Sequence, residues 1–249
     1  ALLAIFPGLE TIRGTFGYRM LMIVFKLLLL PVVVGITYEI NPVNHETTTS
    51  ERGQDGQYVE VDFYREIANF NDWISMDQAL SENYILVNDL DFSGKSITSM
   101  QIGSEKDPFT GKLFGDGHTV RNISGVGSTI FVAVSGAEVK DINFENVELL
   151  TNDSADNKAK AAEAGIFGKV LNNSTLKNIR ASHVTLSDMP THAGGLVSYL
   201  EYSTIEDCRT EFVSITTAEY GNSALSVGGL LAHGKGITVH NCYASNLDI

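Results

Sequence analysis

The chain has 249 residues, enough to bury a substantial core, and its length predicts one or two domains. Its formal net charge is −13, and an acidic surface of this kind repels phosphate backbones, so we expect no nucleic-acid partner. Two cysteines exclude a disulfide-dense scaffold and a four-cysteine zinc site.

An apolar segment, RMLMIVFKLLLLPVVVGITY, covers Arg19–Tyr38. Residues 20–36 reach the lower limit for a membrane-spanning helix, although Lys26 lies among them. Cations precede the apolar run, as in an export signal or an anchor whose N-terminus stays in the cytoplasm, and no Ala-x-Ala cleavage site follows. We expect residues 20–38 to form an apolar helix that anchors or targets the protein. A buried core helix is the alternative, and Pro31 fits it poorly.

Part of this segment also resembles a known family. LLLLPVVVGITYEIN, at Leu27–Asn41, resembles a segment of the YqhQ-like bacterial membrane proteins, whose function is unknown. The resemblance implies membrane association and nothing catalytic. We therefore predict an anchor or signal-like segment at residues 1–41, followed by a polar linker at residues 42–57.

The next segment mixes strand-like and helical spacings. Phe70 and Ile74 recur at helical spacing, and residues 58–84 are predicted to hold a helix that caps the open end of a solenoid. Trp73 adds bulk to this helix, with a carbohydrate-stacking platform as the alternative role.

After residue 110 a four-residue pattern recurs: an apolar residue, any residue, Asn or Asp, then Ile or Cys. Its instances are Val120–Ile123, Val139–Ile142, Leu176–Ile179, Ile205–Cys208 and Val239–Cys242. The gaps of 19, 37, 29 and 34 residues are too unequal for a propeller but suit a β-solenoid, whose turns accept insertions. We interpret the 19-residue gap as about one coil and the polar segment 151–165 as an insertion.

These patterns predict a mainly β protein, with a right-handed parallel β-helix over residues 85–249. The first residue of each instance should point inward: Val120, Val139, Leu176, Ile205 and Val239. The third should form a corner in left-handed geometry rather than a ligand: Asn122, Asp141, Asn178, Asp207 and Asn241. The similar stretches GGLVSYLEYSTIEDC and GGLLAHGKGITVHNC are therefore a building unit rather than a catalytic motif.

The body of the chain, about residues 60–249, resembles a second family. The segments at Phe63–Gly103 and Phe109–Ile123 resemble the N-terminal region of Gram-positive IgA-specific zinc metalloendopeptidases, and the two repeated stretches are similar to the GLUG repeats found there. The resemblance implies a β-helical surface domain. Those proteases use a His-Glu-x-x-His helix, whereas the nearest string here, HETTT from His45, lacks the second histidine. We therefore expect no catalytic, metal-binding or cofactor-binding residue in this chain.

Several residues have a functional and a structural interpretation. Asp89, Asp91 and Asp116 could be the clustered acids of a polysaccharide-active enzyme, with His118 as a base. Polar residues at the bends of the first coils also explain them, and we favour this interpretation because no cluster of basic residues accompanies the acids.

Two cysteines occupy the same position of the repeat. Cys208 and Cys242 could touch if their coils are adjacent, since adjacent rungs lie about 4.8 Å apart. Free thiols that fill the core are the favoured interpretation, and a disulfide is the alternative.

The sequence thus predicts a non-catalytic, monomeric module of an exported bacterial surface protein, tethered to the membrane at its N-terminus. It would act as a spacer or bind host or cell-wall proteins or glycans. The alternatives are a substrate-recognition fragment of a zinc endopeptidase whose catalytic domain is absent here, and a polysaccharide-active β-helix enzyme.

Overall fold

The computed structural model describes residues 46–48, 63–150, 163–189, 192–217 and 226–249, all within the compact unit Val43–Ile249. The predicted segment 1–41, its helix at 20–38 and most of the predicted linker lie outside the described residues. Among the residues that are described, no helix is long and apolar enough to cross a membrane.

Short strands make up most of the described chain. In chain order they are β1 (Glu46–Thr48), β2 (Phe63–Ile67), β3 (Tyr84–Leu86), β4 (Leu90–Asp91), β5 (Lys112–Phe114), β6 (Thr119–Val126), β7 (Thr129–Ser135), β8 (Glu138–Lys140), β9 (Asn143–Leu150), β10 (Glu163–Leu171), β11 (Thr175–Lys177), β12 (Arg180–Met189), β13 (His192–Gly194), β14 (Val197–Glu201), β15 (Thr204–Glu206), β16 (Arg209–Thr217), β17 (Ser226–Gly228), β18 (Leu231–Lys235), β19 (Thr238–His240) and β20 (Tyr243–Asp248). One α-helix, α1 (Phe70–Ser75), and two 3-10 turns at Met76–Gln78 and Ile97–Ser99 complete the described elements.

The strands form three mainly parallel sheets that the chain visits in turn. Sheet 1 has the order β1-β2-β3-β5-β8-β11-β15-β19, and sheet 3 has the order β20-β16-β12-β9-β6-β4. Sheet 2 has the order β17-β13-β10-β14-β18, with β7 also paired to β10. Each strand pairs with its equivalent one coil later, an arrangement consistent with the expected solenoid.

The repeated stretches are adjacent coils in register. Gly194 pairs with Gly228, and Ile205 pairs with Val239, so the 34-residue spacing is one full coil. One part of the predicted register is wrong: Val120 lies in sheet 3 and pairs with Phe144, not with Val139. The 19-residue gap between Val120 and Val139 therefore joins a strand of sheet 3 to a strand of sheet 1 and is not a complete coil. The prediction failed because Asn or Asp occupies left-handed positions in both sheets.

The predicted inward residues fill the core, with one exception. Val120, Val139, Leu176 and Ile205 are fully buried, whereas Val239 is 45% exposed. Val239 has the same orientation as Ile205, with which it pairs, but no described strand covers its other side. Its exposure reflects its place in the last described coil.

The predicted corner residues all have the left-handed backbone. The φ angles are 59° at Asn122, 56° at Asp141, 50° at Asn178, 54° at Asp207 and 51° at Asn241. Side chains also link successive corners, since Asn178 Nδ2 donates to Asp141 Oδ1 and Asn241 Nδ2 to Asp207 Oδ1, both at 2.6 Å. Asn and Asp suit these corners because their short side chains tolerate this geometry and bond locally.

The N-terminal end differs from the prediction in its bounds. Parallel pairing begins at β2, inside the region assigned to the cap, and β1 lies within the predicted linker. Helix α1 is present but has six residues, and the Asn69 side chain caps it by accepting from two backbone amides. It buries Trp73 against Phe92 and Phe131, at ring-centroid distances of 5.5 and 5.8 Å, and so covers the aromatic core at this end.

The position of the predicted insertion is partly described. Residues 151–162 lie outside the described residues, but β10 begins at Glu163, within the last three residues of the predicted segment 151–165.

Candidate functional site

A second column of left-handed residues crosses sheet 3, near the middle of its strands. Its members are Asn122 (φ 59°), Asn146 (55°), His183 (53°), Phe212 (55°) and Asn246 (55°). They occupy equivalent positions on five successive strands, because the residues on either side of them pair in register. A left-handed residue within a strand bends it, so the same bend recurs on every rung.

The stacked bends produce a polar groove on the outer face of sheet 3. We call it the amide groove; it encloses about 560 Å³ and is lined by Ser93, Gly94, Asn122, Ser124, Asn146, Val147, Glu148, His183 and Thr185. Since these residues come from four consecutive rungs spaced about 4.8 Å apart, the groove runs along the solenoid axis for about 15 Å. Glu148 is the one formally charged residue that lines it.

Hydrogen bonds fix one end of the amide groove. Asn146 Nδ2 donates to Asn122 Oδ1 at 3.2 Å, and Asn122 Nδ2 donates to Asp91 Oδ1 at 3.0 Å. The Ser93 hydroxyl and backbone amide also donate to Asp91, at 2.6 and 3.0 Å. The polar wall is therefore held in place by its own contacts, as expected of a preorganised binding surface.

An aromatic pair lies at the other end, where His183 lines the groove and Phe212 occupies the equivalent position on the next rung. The rings of His183 and Phe212 stack in nearly parallel planes, with centroids 4.9 Å apart and an interplanar angle of 11°. Both side chains are exposed, Phe212 by 51%. This pair does not match the four-residue corner pattern, because His and Phe replace Asn at its third position and Val replaces Ile or Cys at its fourth. Only the pairing of the strands shows that Ser182–Val184 and Glu211–Val213 are equivalent to Glu145–Val147.

The acidic candidates divide between two places. Asp91 lies at the end of the amide groove, and its pKa is held well below the usual range by donors from Ser93 and Asn122. Asp89 accepts from the Thr119 backbone amide at 3.0 Å and lies 3.1 Å from His118 Nδ1, and these bonds lower its pKa as well.

Asp116 takes a left-handed φ of 50° in the tight turn from Gly115 to His118, where the His118 amide donates to the Gly115 carbonyl. The structure thus places Asp89, Asp116 and His118 at bends, as the structural interpretation expects. Asp89 and Asp91, whose pKa values are lowered, are poor general acids, since that role needs a raised pKa.

Two further candidates have structural surroundings. Trp73 is fully buried and its Nε1 donates to the Met100 carbonyl at 3.0 Å, so the carbohydrate-platform hypothesis for this residue is wrong. Cys208 and Cys242 lie in adjacent coils as free thiols, and the Cys208 amide donates to Cys242 Sγ at 3.3 Å. Burial raises the pKa of the Cys208 thiol to about 12, which makes it unreactive.

Two polar clusters lie away from the amide groove. Burial raises the pKa of Glu163, whose Oε2 accepts from the Ser198 hydroxyl at 2.5 Å. Among the described residues, Glu206, Asp207 and His240 place possible metal-ligating atoms within 4.8 Å of one another. Two of these three already have protein partners, because Lys177 bonds to Glu206 and Asn241 bonds to Asp207.

Comparisons with known proteins show similarity to solved structures but to no family model and no curated protein. Among solved structures, the chain is similar to a Bacteroides ovatus protein proposed to be an immunoglobulin A1 protease, whose crystal structure was determined at 1.30 Å. The two are 16% identical with a TM-score of 0.40, over 74% of this chain and 77% of that one. A similarity of this size carries no argument about function.

Proposed function

We propose that this chain is a non-catalytic recognition module that binds an extended macromolecule along the amide groove. The observation that carries this proposal is the groove itself, a polar channel that crosses four consecutive rungs with a fixed wall and an exposed aromatic pair. A surface repeated at every rung suits a partner that is itself a chain, because each rung can offer similar contacts to successive units.

The non-catalytic assignment draws on two carboxylates with shifted pKa values, one beside the groove and one on sheet 2. Asp91 is ionised and bonded by several protein donors, so it acts as a structural acceptor. Glu163 has the raised pKa that a general acid needs, but it lies on sheet 2 and its carboxylate is engaged by Ser198.

The finer architectural proposal is a right-handed parallel β-helix. Its support is general: connections between parallel strands of one sheet are right-handed in about 98% of cases, because of strand twist. The sequence resemblance further supports GLUG-type repeats in a surface domain, and the apolar segment 20–38 supports export and membrane tethering. We propose a monomer without cofactor or nucleic-acid partner.

The resemblance to IgA-specific zinc metalloendopeptidases offers an alternative in which the same groove recognises substrate for a catalytic domain. A polysaccharide-active enzyme is the second alternative. Immunoglobulin A is therefore a useful probe, and so are neutral polysaccharides, whose cleavage would support the enzyme.

The experiment measures binding of the full chain to peptidoglycan, yeast mannan, mucin and immunoglobulin A by biolayer interferometry. We expect saturable binding to at least one probe and a loss of about tenfold or more in Glu148→Lys, which places a long cation in the groove. Glu138→Lys, on sheet 1, is the matched control and should bind as the unchanged chain does. Absence of binding to every probe, or equal binding by both variants, would contradict the proposal.

A further inference from the structure

Phe212 has a backbone conformation that is unfavourable for its side chain. Its φ of 55° is left-handed, and bulky residues rarely adopt this region because Cβ approaches the following carbonyl oxygen. Asn122, Asn146 and Asn246 occupy the same column, and Asn tolerates the region well. The fold therefore needs the bend but does not need a phenyl ring there.

The ring also adds little to the core. Phe212 points outward and is 51% exposed, and its recorded ring contact is with His183, which is itself exposed and left-handed. Two neighbouring rungs thus carry outward aromatic rings, and at Phe212, the bulkier of the two residues in this backbone, Asn would be more stable. Backbone strain kept without a packing benefit points to a function of the side chain.

The side chains that line the amide groove restrict the class of ligand that it can bind. Amides from Asn122 and Asn146 and hydroxyls from Ser124 and Thr185 both donate and accept hydrogen bonds, which matches a polyhydroxylated chain. No Lys or Arg is among the groove's lining residues, and the full chain has a net charge of −13, so a polyanion is disfavoured. Each ring of the stacked pair has one face turned away from the other ring, and such a face offers an apolar surface to the C–H face of a sugar ring.

We propose that the His183–Phe212 pair is a stacking platform for a pyranose ring of a neutral oligosaccharide that lies along the amide groove. This inference rests on the proposed function and names its ligand class. The rung spacing of about 4.8 Å is close to the length of one pyranose unit, so successive sugars meet successive rungs. The binding is non-covalent and needs no cofactor.

The test compares two substitutions at equivalent backbone geometry. Phe212→Asn removes the ring and relieves the strain, and the matched control is Tyr202→Asn. Tyr202 is also left-handed (φ 46°) and 53% exposed, but it lies at the corner between sheets 2 and 1, away from the groove. Phe212→Tyr keeps an aromatic ring and should retain binding.

The probes are six-unit oligosaccharides of β-1,4-glucan, β-1,4-mannan and chitin, with hyaluronan as the anionic comparison, measured by isothermal titration calorimetry on the full chain. We expect at least one neutral probe to bind, Phe212→Asn to weaken it by about tenfold or more, and Tyr202→Asn to leave it unchanged. Phe212→Asn should melt at the same temperature as the unchanged chain or higher, because strain is removed.

Three outcomes would overturn the inference. If the chain binds immunoglobulin A or hyaluronan through the amide groove but no neutral oligosaccharide, the proposed function stands and its ligand class is wrong. If Phe212→Asn binds as tightly as the unchanged chain, the ring pair is not the platform. If Phe212→Asn melts well below the unchanged chain, the ring has a structural role and the strain argument fails.

Discussion

We expect Gly194→Ala to lower the free energy of unfolding by more than the loss of glycine's backbone freedom alone would. A Cβ at this position would lie 1.9 Å from the Val197 carbonyl oxygen, whereas ordinary contact is 3.4–4 Å. The bend between β13 and β14 must therefore open by about 1.5 Å. Hydrogen bonds from the Gly195 and Leu196 amides to the next coil hold this bend, at 3.0 Å each. Overpacking typically costs about 1–3 kcal/mol and one lost buried hydrogen bond about 1–3 kcal/mol more, so we expect a loss of about 2–6 kcal/mol.

Urea unfolding followed by fluorescence of the single tryptophan, Trp73, measures this loss. With a slope of about 2–3 kcal/mol/M, the urea concentration at the midpoint should fall by about 1–3 M. Gly228→Ala should cost less, because among the described strands β17 pairs only with β13. Gly117→Ala is the control for backbone geometry alone: φ is 80°, nothing lies within 4 Å of the added Cβ, and the cost should be about 1–2 kcal/mol. If Gly194→Ala is no more destabilising than Gly117→Ala, the steric explanation of the repeated Gly-Gly is wrong.

Two further predictions follow from buried titratable groups. Because burial raises the pKa of Glu163, its stabilising contribution is present at low pH and is lost as the pH rises through that raised value. Glu163→Gln should therefore raise the melting temperature at pH 8 and change it little at pH 4, despite the nearby charges of His192, Lys169 and Glu105; a lower value at both pH values would refute this. Iodoacetamide should modify half-buried Cys242 in the folded chain but reach Cys208 only on unfolding, and mass spectrometry showing equal rates would contradict its burial.

The corner chemistry of the solenoid could be predicted from the sequence because Asn and Asp are distinctive at left-handed positions. Asp141, Asn178, Asp207 and Asn241 fall on one corner, and the apolar residue two places before each one stacks with its equivalent on the next coil. The register failed at Asn122, because a second corner uses the same residue type. A four-residue pattern cannot show to which column of left-handed residues an Asn belongs, because Asn occurs in both columns. The pairing of the strands can show it.

The candidate site was much less accessible to sequence reasoning. His183 and Phe212 carry no motif, and their importance depends on two facts about the fold: their shared column with Asn146 and their left-handed backbone. Trp73 attracted attention as the single tryptophan, but aromatic bulk at helical spacing is equally typical of a core residue. Its burial beneath α1 settles the question in favour of packing.

The variation in coil length is concentrated where it does not disturb the amide groove. The connections from sheet 3 to sheet 2 contain 2, 12, 2 and 8 residues in successive coils, whereas those from sheet 2 to sheet 1 contain 2 or 3. Pairing across sheet 3 nevertheless keeps the left-handed column aligned from β6 to β20. Insertions at one corner can therefore change the length of a coil while the spacing of groups along the groove stays at one rung. A surface that binds a repeating chain requires such constant spacing of its contact groups. The bends of sheet 3 are therefore the first place to test for a ligand.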